Sequence, residues 1–185
     1  MRVWLLAALG ALLAVIAIVS LGMYGGLYNV AANVPHTGWV YSLLQTVRDR
    51  SIAAHAAGTV VPGDLSDPKR ISSGAGQYAE MCSGCHLAPG MSRTEISRGL
   101  YPRAPELRRR SRTTPAEDFW VVKNGIKMTG MPAWGVAHDD EILWDVVAFL
   151  RKLPELTADQ YQALVGAAPK THDETMHKSN TDHRP

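Results

Sequence analysis

Two cysteines and a histidine form the stretch of this chain with the clearest chemical function. Cys82, Ser83, Gly84, Cys85 and His86 follow one another, and the sequence holds two cysteines in total. Two thiols at this spacing, with a histidine directly after the second, form the C-x-x-C-H pattern of covalent haem attachment. Each thiol can form a thioether with one haem vinyl group, and the imidazole can then ligate the iron. The stretch therefore predicts one covalently bound haem c.

Three other kinds of site use a similar pair of cysteines. A structural zinc site usually has four cysteine or histidine ligands, often as two pairs, and this chain has no second cysteine pair. A thioredoxin-like redox pair needs a βαβ context, which the sequence lacks. A structural disulfide between Cys82 and Cys85 is the third alternative. The adjacent His86 favours haem over all three.

A loop that contains two methionines lies further along the chain. It runs from Asn124 to Trp134 and includes Gly130, Met131 and Pro132. Together with the C-x-x-C-H stretch, its Gly-Met-Pro-Ala-aromatic sequence resembles the two haem-ligand motifs of class I c-type cytochromes. The resemblance covers roughly residues 70 to 155. It implies that His86 and Met131 are the two axial ligands of the haem iron.

Met128 is the competing thioether in this loop. Two arguments from the residues favour Met131. Pro132 pushes the preceding residue into an extended backbone, and Gly130 gives the loop freedom to approach the haem. Met128 is expected to pack beside the haem.

The resemblance also implies that a proline lies next to the proximal histidine. In this family a Pro-x-Leu sequence follows the attachment motif, and its proline carbonyl accepts a hydrogen bond from the proximal histidine. Pro105 matches this position, with Pro102 and Pro89 as competing candidates; the bond would orient His86 and raise its basicity. Trp120 is expected either to pack on the haem, where it could donate a hydrogen bond to a propionate, or to be part of the core.

The predicted fold is all-α: a cytochrome c fold of several short helices around one covalent haem, with an N-terminal transmembrane helix. One helix is expected to run from near Pro68 into Cys82, and another from Asp139 to Leu153. A helix capped by Thr114, with Pro115 at its first position, should lie between them. The resemblance implies that the residues meeting where the first and last of these helices cross are Gly74, Tyr78, Val146 and Phe149.

The N-terminal segment is predicted to anchor the protein in a membrane. No Asp, Glu, Lys or Arg occurs between Arg2 and Arg48, and the apolar run extends from Val3 to about Tyr24. A helix of this length can cross a hydrocarbon layer of ~30 Å. Arg2 would mark the cytoplasmic side, so that the rest of the chain faces outward. The alternative is a signal peptide cleaved after Val30-Ala31-Ala32.

Four segments follow from these patterns: an anchor (1–28), a linker with an amphipathic helix (29–69), a cytochrome c domain (70–155), and a short helix with a disordered tail (156–185). The linker helix, from Thr37 to Ala57, either binds a membrane surface or a partner, or packs against the haem domain. His55 on it is expected to be a surface residue. The short helix is predicted from Thr157 to Leu164. The histidines of the polar tail are His172, His177 and His183.

A basic loop separates the two haem motifs. Seven arginines lie between Arg93 and Arg112, against Glu95 and Glu106. They form either a solvated face or a rim that balances haem propionates and steers an acidic redox partner. The net charge is only +2, and the chain is predicted to be exported, so a nucleic-acid partner is not expected.

These observations predict a membrane-tethered electron-transfer protein that is not an enzyme. With His86 and Met131 both bound, the iron has no open position for a substrate. Because covalent haem is attached outside the bacterial cytoplasm, the resemblance implies an inner-membrane protein whose haem domain faces the periplasm. The alternative is a haem c subunit of a respiratory oxidase or a periplasmic dehydrogenase complex. A gas sensor or peroxidase-like enzyme with a labile Met131 is a third hypothesis.

Overall fold

The computed structural model describes residues 2–109 and 113–169, and all regular structure in these ranges is helical. The predicted all-α fold is therefore confirmed. In chain order the α-helices are α1 (Arg2–Tyr24), α2 (Gly38–Ala56), α3 (Pro68–Met81), α4 (Ser83–His86), α5 (Glu95–Gly99), α6 (Pro115–Asn124), α7 (Asp140–Lys152) and α8 (Ala158–Ala167). Short 3₁₀ turns span Trp134–Val136 and Leu153–Glu155. Arg110, Arg112 and the tail histidines lie outside the described residues.

The chain divides into two compact units, Met1–Pro35 and His36–Pro185. The first contains α1, whose residues have a mean hydropathy of 2.6 and none of which is buried. By length and composition α1 can cross a membrane, as the sequence predicts. The second unit contains the other helices. The finer boundaries at residues 29, 70 and 156 stay predictions.

Local capping signals explain where the helices of the second unit begin. The Asp67 side chain accepts a hydrogen bond from the Lys69 amide at 2.8 Å at the start of α3. Thr114 and Glu117 form a complete capping box at the start of α6, with Pro115 in its first turn. The predicted helices at these positions are confirmed. At α7, by contrast, Asp139 occupies the N-cap position but its side chain makes no capping hydrogen bond.

The core is organised around the crossing of α3 and α7. A side chain on Gly74 would collide with the Asp145 carbonyl and stand 2.9 Å from Cβ of Phe149, so the two backbones touch. One turn later on α3, the Tyr78 ring lies 5.2 Å from the Phe149 ring. The expected contact of Gly74 and Tyr78 with Phe149 is thus confirmed. The backbone of Asp145 is the contact that the sequence did not indicate, while Val146 is fully buried beside it.

Helix α8 covers the other side of Tyr78. The sequence predicts a short helix here; it is capped by Thr157 and Gln160 and extends beyond the predicted end at Leu164 to Ala167. Its Tyr161 is buried and meets the Tyr78 ring edge-on at 6.5 Å. The helix therefore completes the core that holds α3 in place.

Helix α2 packs against the rest of its unit. Near its C-terminal end, the ring of His55 lies 5.6 Å from the ring of Trp120 on α6, and Ala56 is buried. Just before its N-terminal end, the His36 amide donates to the Tyr101 hydroxyl at 2.8 Å. Of the two expectations for this helix, packing against the helical domain is therefore the one that the structure shows.

Candidate haem-binding site

The C-x-x-C-H residues sit at the turn that ends α3. Cys82 directly follows the last residue of that helix, and its carbonyl accepts hydrogen bonds from the amides of Cys85 at 3.1 Å and of His86 at 2.9 Å. These bonds form the single turn α4 and bring both thiols and the imidazole to one end of α3. Both cysteines are free, Cys82 buried and Cys85 partly so. Burial raises the pKa of Cys82 to about 12, with a smaller contribution from Cys85, so this thiol is protonated at neutral pH.

The ring of His86 is oriented by a backbone carbonyl. Its Nδ1 lies 2.8 Å from the carbonyl oxygen of Pro105. A carbonyl can only accept, so Nδ1 carries the proton, and the neutral ring keeps its lone pair on Nε2. Burial lowers the pKa of His86, although the Pro105 bond acts in the opposite direction. The imidazole is therefore neutral and has a nitrogen free to ligate a metal ion.

A cavity of about 530 Å³ lies next to these residues. Cys82, Cys85, His86 and Met131 all line it. Most of its remaining walls are apolar and include Leu100, Leu107, Val121, Ile126, Trp134 and Leu150. Its volume is in the range of small-molecule and cofactor sites, ≈ 300–1,000 Å³. Two thiols, an unprotonated imidazole nitrogen and a thioether around an apolar cavity are a donor set that fits a haem.

The loop that carries Met131 is held at its backbone. The Met131 amide donates to Oγ1 of Thr129 at 3.1 Å, and its carbonyl accepts the Ile126 amide at 3.2 Å. Gly125 has a φ of +65°, and a side chain there would stand 2.7 Å from the Met131 carbonyl oxygen. A glycine at this position is therefore required both by its backbone angle and by the close approach of the loop.

The structure separates the two methionines. Met131 lines the cavity of the cysteines, whereas Met128 lines a neighbouring cavity and is 88% exposed. The expectation that Met128 packs beside the haem is therefore corrected, because its side chain points into solvent at the tip of the loop.

Trp120 also lies elsewhere than the sequence suggested. Its ring faces His55 of α2 and lines the neighbouring cavity, not the one that contains the cysteines. Val121 and Val122 of the same helix do face the cysteine cavity. Successive helical residues point about 100° apart. Because Val121 and Val122 face the cavity, Trp120, which precedes them, faces α2. Trp134 is the tryptophan on the wall of the cysteine cavity, and its position inside the methionine motif was the available signal.

Sequence reasoning also missed two polar residues of the cavity. Tyr41 and Arg48 of α2 line it together with the cysteines. Their separation of seven residues places them on one face of a helix, which was the one signal for a shared role.

Comparison with known proteins gives one family match. Residues 69–150 match the family described as cytochrome c oxidase, cbb3-type, subunit III. No curated protein and no solved structure gives a significant match. The matched residues run from the first turn of α3 into α7, and so include the C-x-x-C-H turn, Pro105 and Met131. The chain therefore carries a c-type cytochrome domain, preceded by an apolar helix that fits membrane anchoring.

Proposed function

We propose that this protein is a membrane-tethered electron carrier with one haem c, bound through Cys82 and Cys85 and ligated by His86 and Met131. A c-type cytochrome domain implies a haem and one-electron transfer. We further propose that the haem is covalently bound, that His86 and Met131 are its ligands, and that the protein acts as a free-standing carrier. The observation that carries them is that these four side chains line a single apolar cavity.

Each of these residues has a physical task. The haem, when bound, supplies a one-electron redox couple. The two thiols would fix it to the end of α3, in a core that is itself fixed by α7. The Pro105 carbonyl holds the His86 ring in one tautomer and one orientation, and raises the basicity of Nε2. A thioether ligand such as Met131 favours the ferrous state and so raises the reduction potential.

A carrier, as opposed to an enzyme, is supported by the same ligand pair. With Nε2 of His86 and the sulfur of Met131 both engaged, no coordination position is left for a substrate. The backbone bonds of Met131 to Thr129 and Ile126 oppose displacement of that sulfur. We therefore propose electron exchange with other redox proteins, and no turnover of a small molecule at the iron.

The proposed location is the bacterial inner membrane, with the haem domain in the periplasm. The support is the apolar helix α1, the single Arg2 at its start, and the absence of further charges before Arg48. Positive residues remain on the cytoplasmic side during insertion, which directs the rest of the chain outward.

Removal of both thiols tests the attachment. The wild-type protein should retain its haem through acid–acetone extraction, and Cys82→Ala or Cys85→Ala alone should lower the yield of holoprotein. The double variant should give up any haem that it binds, because no thioether can form. Extraction-resistant haem in the double variant would overturn the proposal.

A second candidate function is a haem c subunit of a respiratory oxidase or of a periplasmic dehydrogenase complex. The observation in its favour is the family match, whose description names a subunit of an oxidase. Extraction of the native membranes in mild detergent distinguishes the two. A free carrier should purify alone, whereas a subunit should purify in constant ratio with other chains, which mass spectrometry can identify.

A further inference from the structure

Helix α2 lies outside the residues that match a known family, yet it contributes to the haem cavity. It ends at Ala56, and the match begins at residue 69. Both of its ends are fixed to the helical domain: His36 meets Tyr101 in an edge-on ring contact at 5.3 Å, and His55 meets Trp120. The middle of α2 is therefore held over the cavity between these two contacts.

The two cavity-lining residues of α2 are polar, in contrast to most of the wall. Tyr41 and Arg48 are two helical turns apart, so their side chains leave the same face. Both line the cysteine cavity and also the neighbouring one. They thus stand at the boundary where the apolar cavity opens beside α2.

Both groups can donate hydrogen bonds there. Nε and Nη2 of Arg48 contact the adjacent carboxylate of Asp49 at 2.9 and 2.8 Å, but a guanidinium has five N–H donors, so others remain. The Asp49 side chain is 65% exposed, and a surface pair of this kind contributes little to stability. The Tyr41 hydroxyl accepts a bond from Gln45 at 2.9 Å, which leaves its own proton available.

We infer that Arg48 and Tyr41 hold one propionate of the haem, so that α2 is part of the cofactor site. This inference rests on the proposed haem c. A haem carries its charge on two carboxylates, which are unfavourable against apolar walls unless they are paired. Arginine pairs with a carboxylate through two parallel hydrogen bonds, and the tyrosine hydroxyl adds a third donor. Two arginines of the basic loop, Arg103 and Arg109, also line this cavity and are the competing cations.

The charge of Arg48 also has a consequence for the redox couple. A cation near the haem stabilises the reduced form, which carries one positive charge less than the oxidised form. Loss of this cation should therefore lower the reduction potential. Arg50 provides a matched comparison, because it lies on the same helix, is exposed, and lines neither cavity.

The experiment compares holoproteins by resonance Raman spectroscopy and redox titration. Arg48→Gln should shift the propionate bending band and lower the potential, while Arg50→Gln should leave the band in place and change the potential less. Tyr41→Phe removes one oxygen only, and should shift the band while the protein stays folded. Arg48→Lys keeps the charge but not the paired geometry, so it should restore the potential and leave the band shifted.

An unchanged band in both Arg48→Gln and Tyr41→Phe would overturn the inference, as would a band that responds only to Arg103→Gln, a loop residue of the same cavity. These outcomes leave the proposed function intact, because they are measured on protein that holds haem. Failure of the proposed function would be seen earlier, as wild-type protein without covalent haem.

Discussion

Gly74 of α3 and Asp145 of α7 touch through their backbones, closer than any side chain at position 74 would allow. The contact lies in the middle of the crossing that supports the C-x-x-C-H turn. Because the obstructing atom is a backbone carbonyl, it cannot move aside as the end of a flexible side chain would. Any residue other than glycine therefore forces the two helices apart.

We expect Gly74→Ala to destabilise the holoprotein by at least the 1–3 kcal/mol typical of overpacking. Gly166→Ala is the matched control, since it also lies in a helix but has open space around its Cβ position. The control should be neutral or slightly stabilising, because alanine is the better helix former. Urea unfolding measures both. Equal stability of the two variants would show that the crossing can relax.

Arg70 joins three carboxylates from different parts of the domain. Its guanidinium contacts Asp64 at 2.8 Å, Glu141 at 2.7 Å and Asp145 at 2.8 Å, and only 17% of its side chain is exposed. Arg70→Gln should destabilise the protein by about 1.5–3 kcal/mol, the usual contribution of a hydrogen bond to a charged group. Lys69→Gln, next to it but exposed, should have little effect. Denaturant titration at neutral pH is the measurement.

Arg70→Gln should also change how the stability of the protein depends on pH in the acid range. The hydrogen bond and charge of Arg70 hold the pKa of Asp64 below its ordinary value, against a smaller effect of burial that raises it. A carboxyl with a lowered pKa contributes stability above its unfolded pKa, and that contribution is lost as the pH falls through the folded value. The stability difference between wild type and Arg70→Gln should therefore narrow below about pH 4. A stability difference that stays constant as the pH falls would show that the contact between Arg70 and Asp64 does not stabilise the protein.

Much of the fold could be read from the sequence because its signals are local. A capping threonine with a proline and a glutamate fixes the start of α6, and Gly125 with its positive φ fixes the end. The C-x-x-C-H turn is likewise formed by neighbours in the chain. The crossing at Gly74 could be predicted because the family resemblance indicated that α3 and α7 pack against each other.

Other features depend on packing between distant segments. Trp120 turns toward α2 because the two valines after it face the cavity, and periodicity alone does not say which face of a short helix meets the site. Tyr41 and Arg48 reach the cavity because His36 and His55 fix α2 to Tyr101 of a loop and to Trp120 of α6. No local signal gives such contacts.

The role of α1 as an anchor can be tested directly. The full-length protein should remain in membranes washed with salt and carbonate, because α1 has a mean hydropathy of 2.6 and no buried residue. A shortened protein that begins at Asn29 behind an export signal should be soluble. N-terminal sequencing gives the opposing outcome: mature wild-type protein that begins near Asn33 would mean a cleaved signal peptide and a soluble periplasmic carrier.

The basic loop should steer a redox partner through long-range attraction. If so, the rate of electron transfer should fall as the salt concentration rises past ~0.1 M, where the Debye length is ~10 Å. Replacing Arg108, Arg109 and Arg110 by glutamine should flatten this dependence, although Glu106 already offsets part of the charge. A control with the same loss of charge replaces the exposed Arg50, Lys69 and Lys152. If the electron-transfer rate depends on salt equally in the loop variant and the wild type, the arginines form only a solvated face.

The assignment of Met131 as the distal ligand gives a spectroscopic prediction. Met131→Ala should lose the near-infrared sulfur-to-iron charge-transfer band and should lower the reduction potential, since a thioether ligand raises it. It should also allow the reduced protein to bind carbon monoxide at neutral pH. Thr129 accepts a hydrogen bond from the backbone amide of residue 131, and this bond would remain in the variant and hold the loop in place. The changes would therefore come from loss of the sulfur.

Met128→Ala is the matched control, because it removes the other thioether of the same loop. Met128 is 88% exposed and does not line the cavity of the cysteines, so its replacement should keep the charge-transfer band. Exposed substitutions usually change stability by no more than about 0.5 kcal/mol, and we expect no more here. If the band instead disappears in Met128→Ala and survives in Met131→Ala, Met128 is the ligand, and the loop must rearrange when haem is bound.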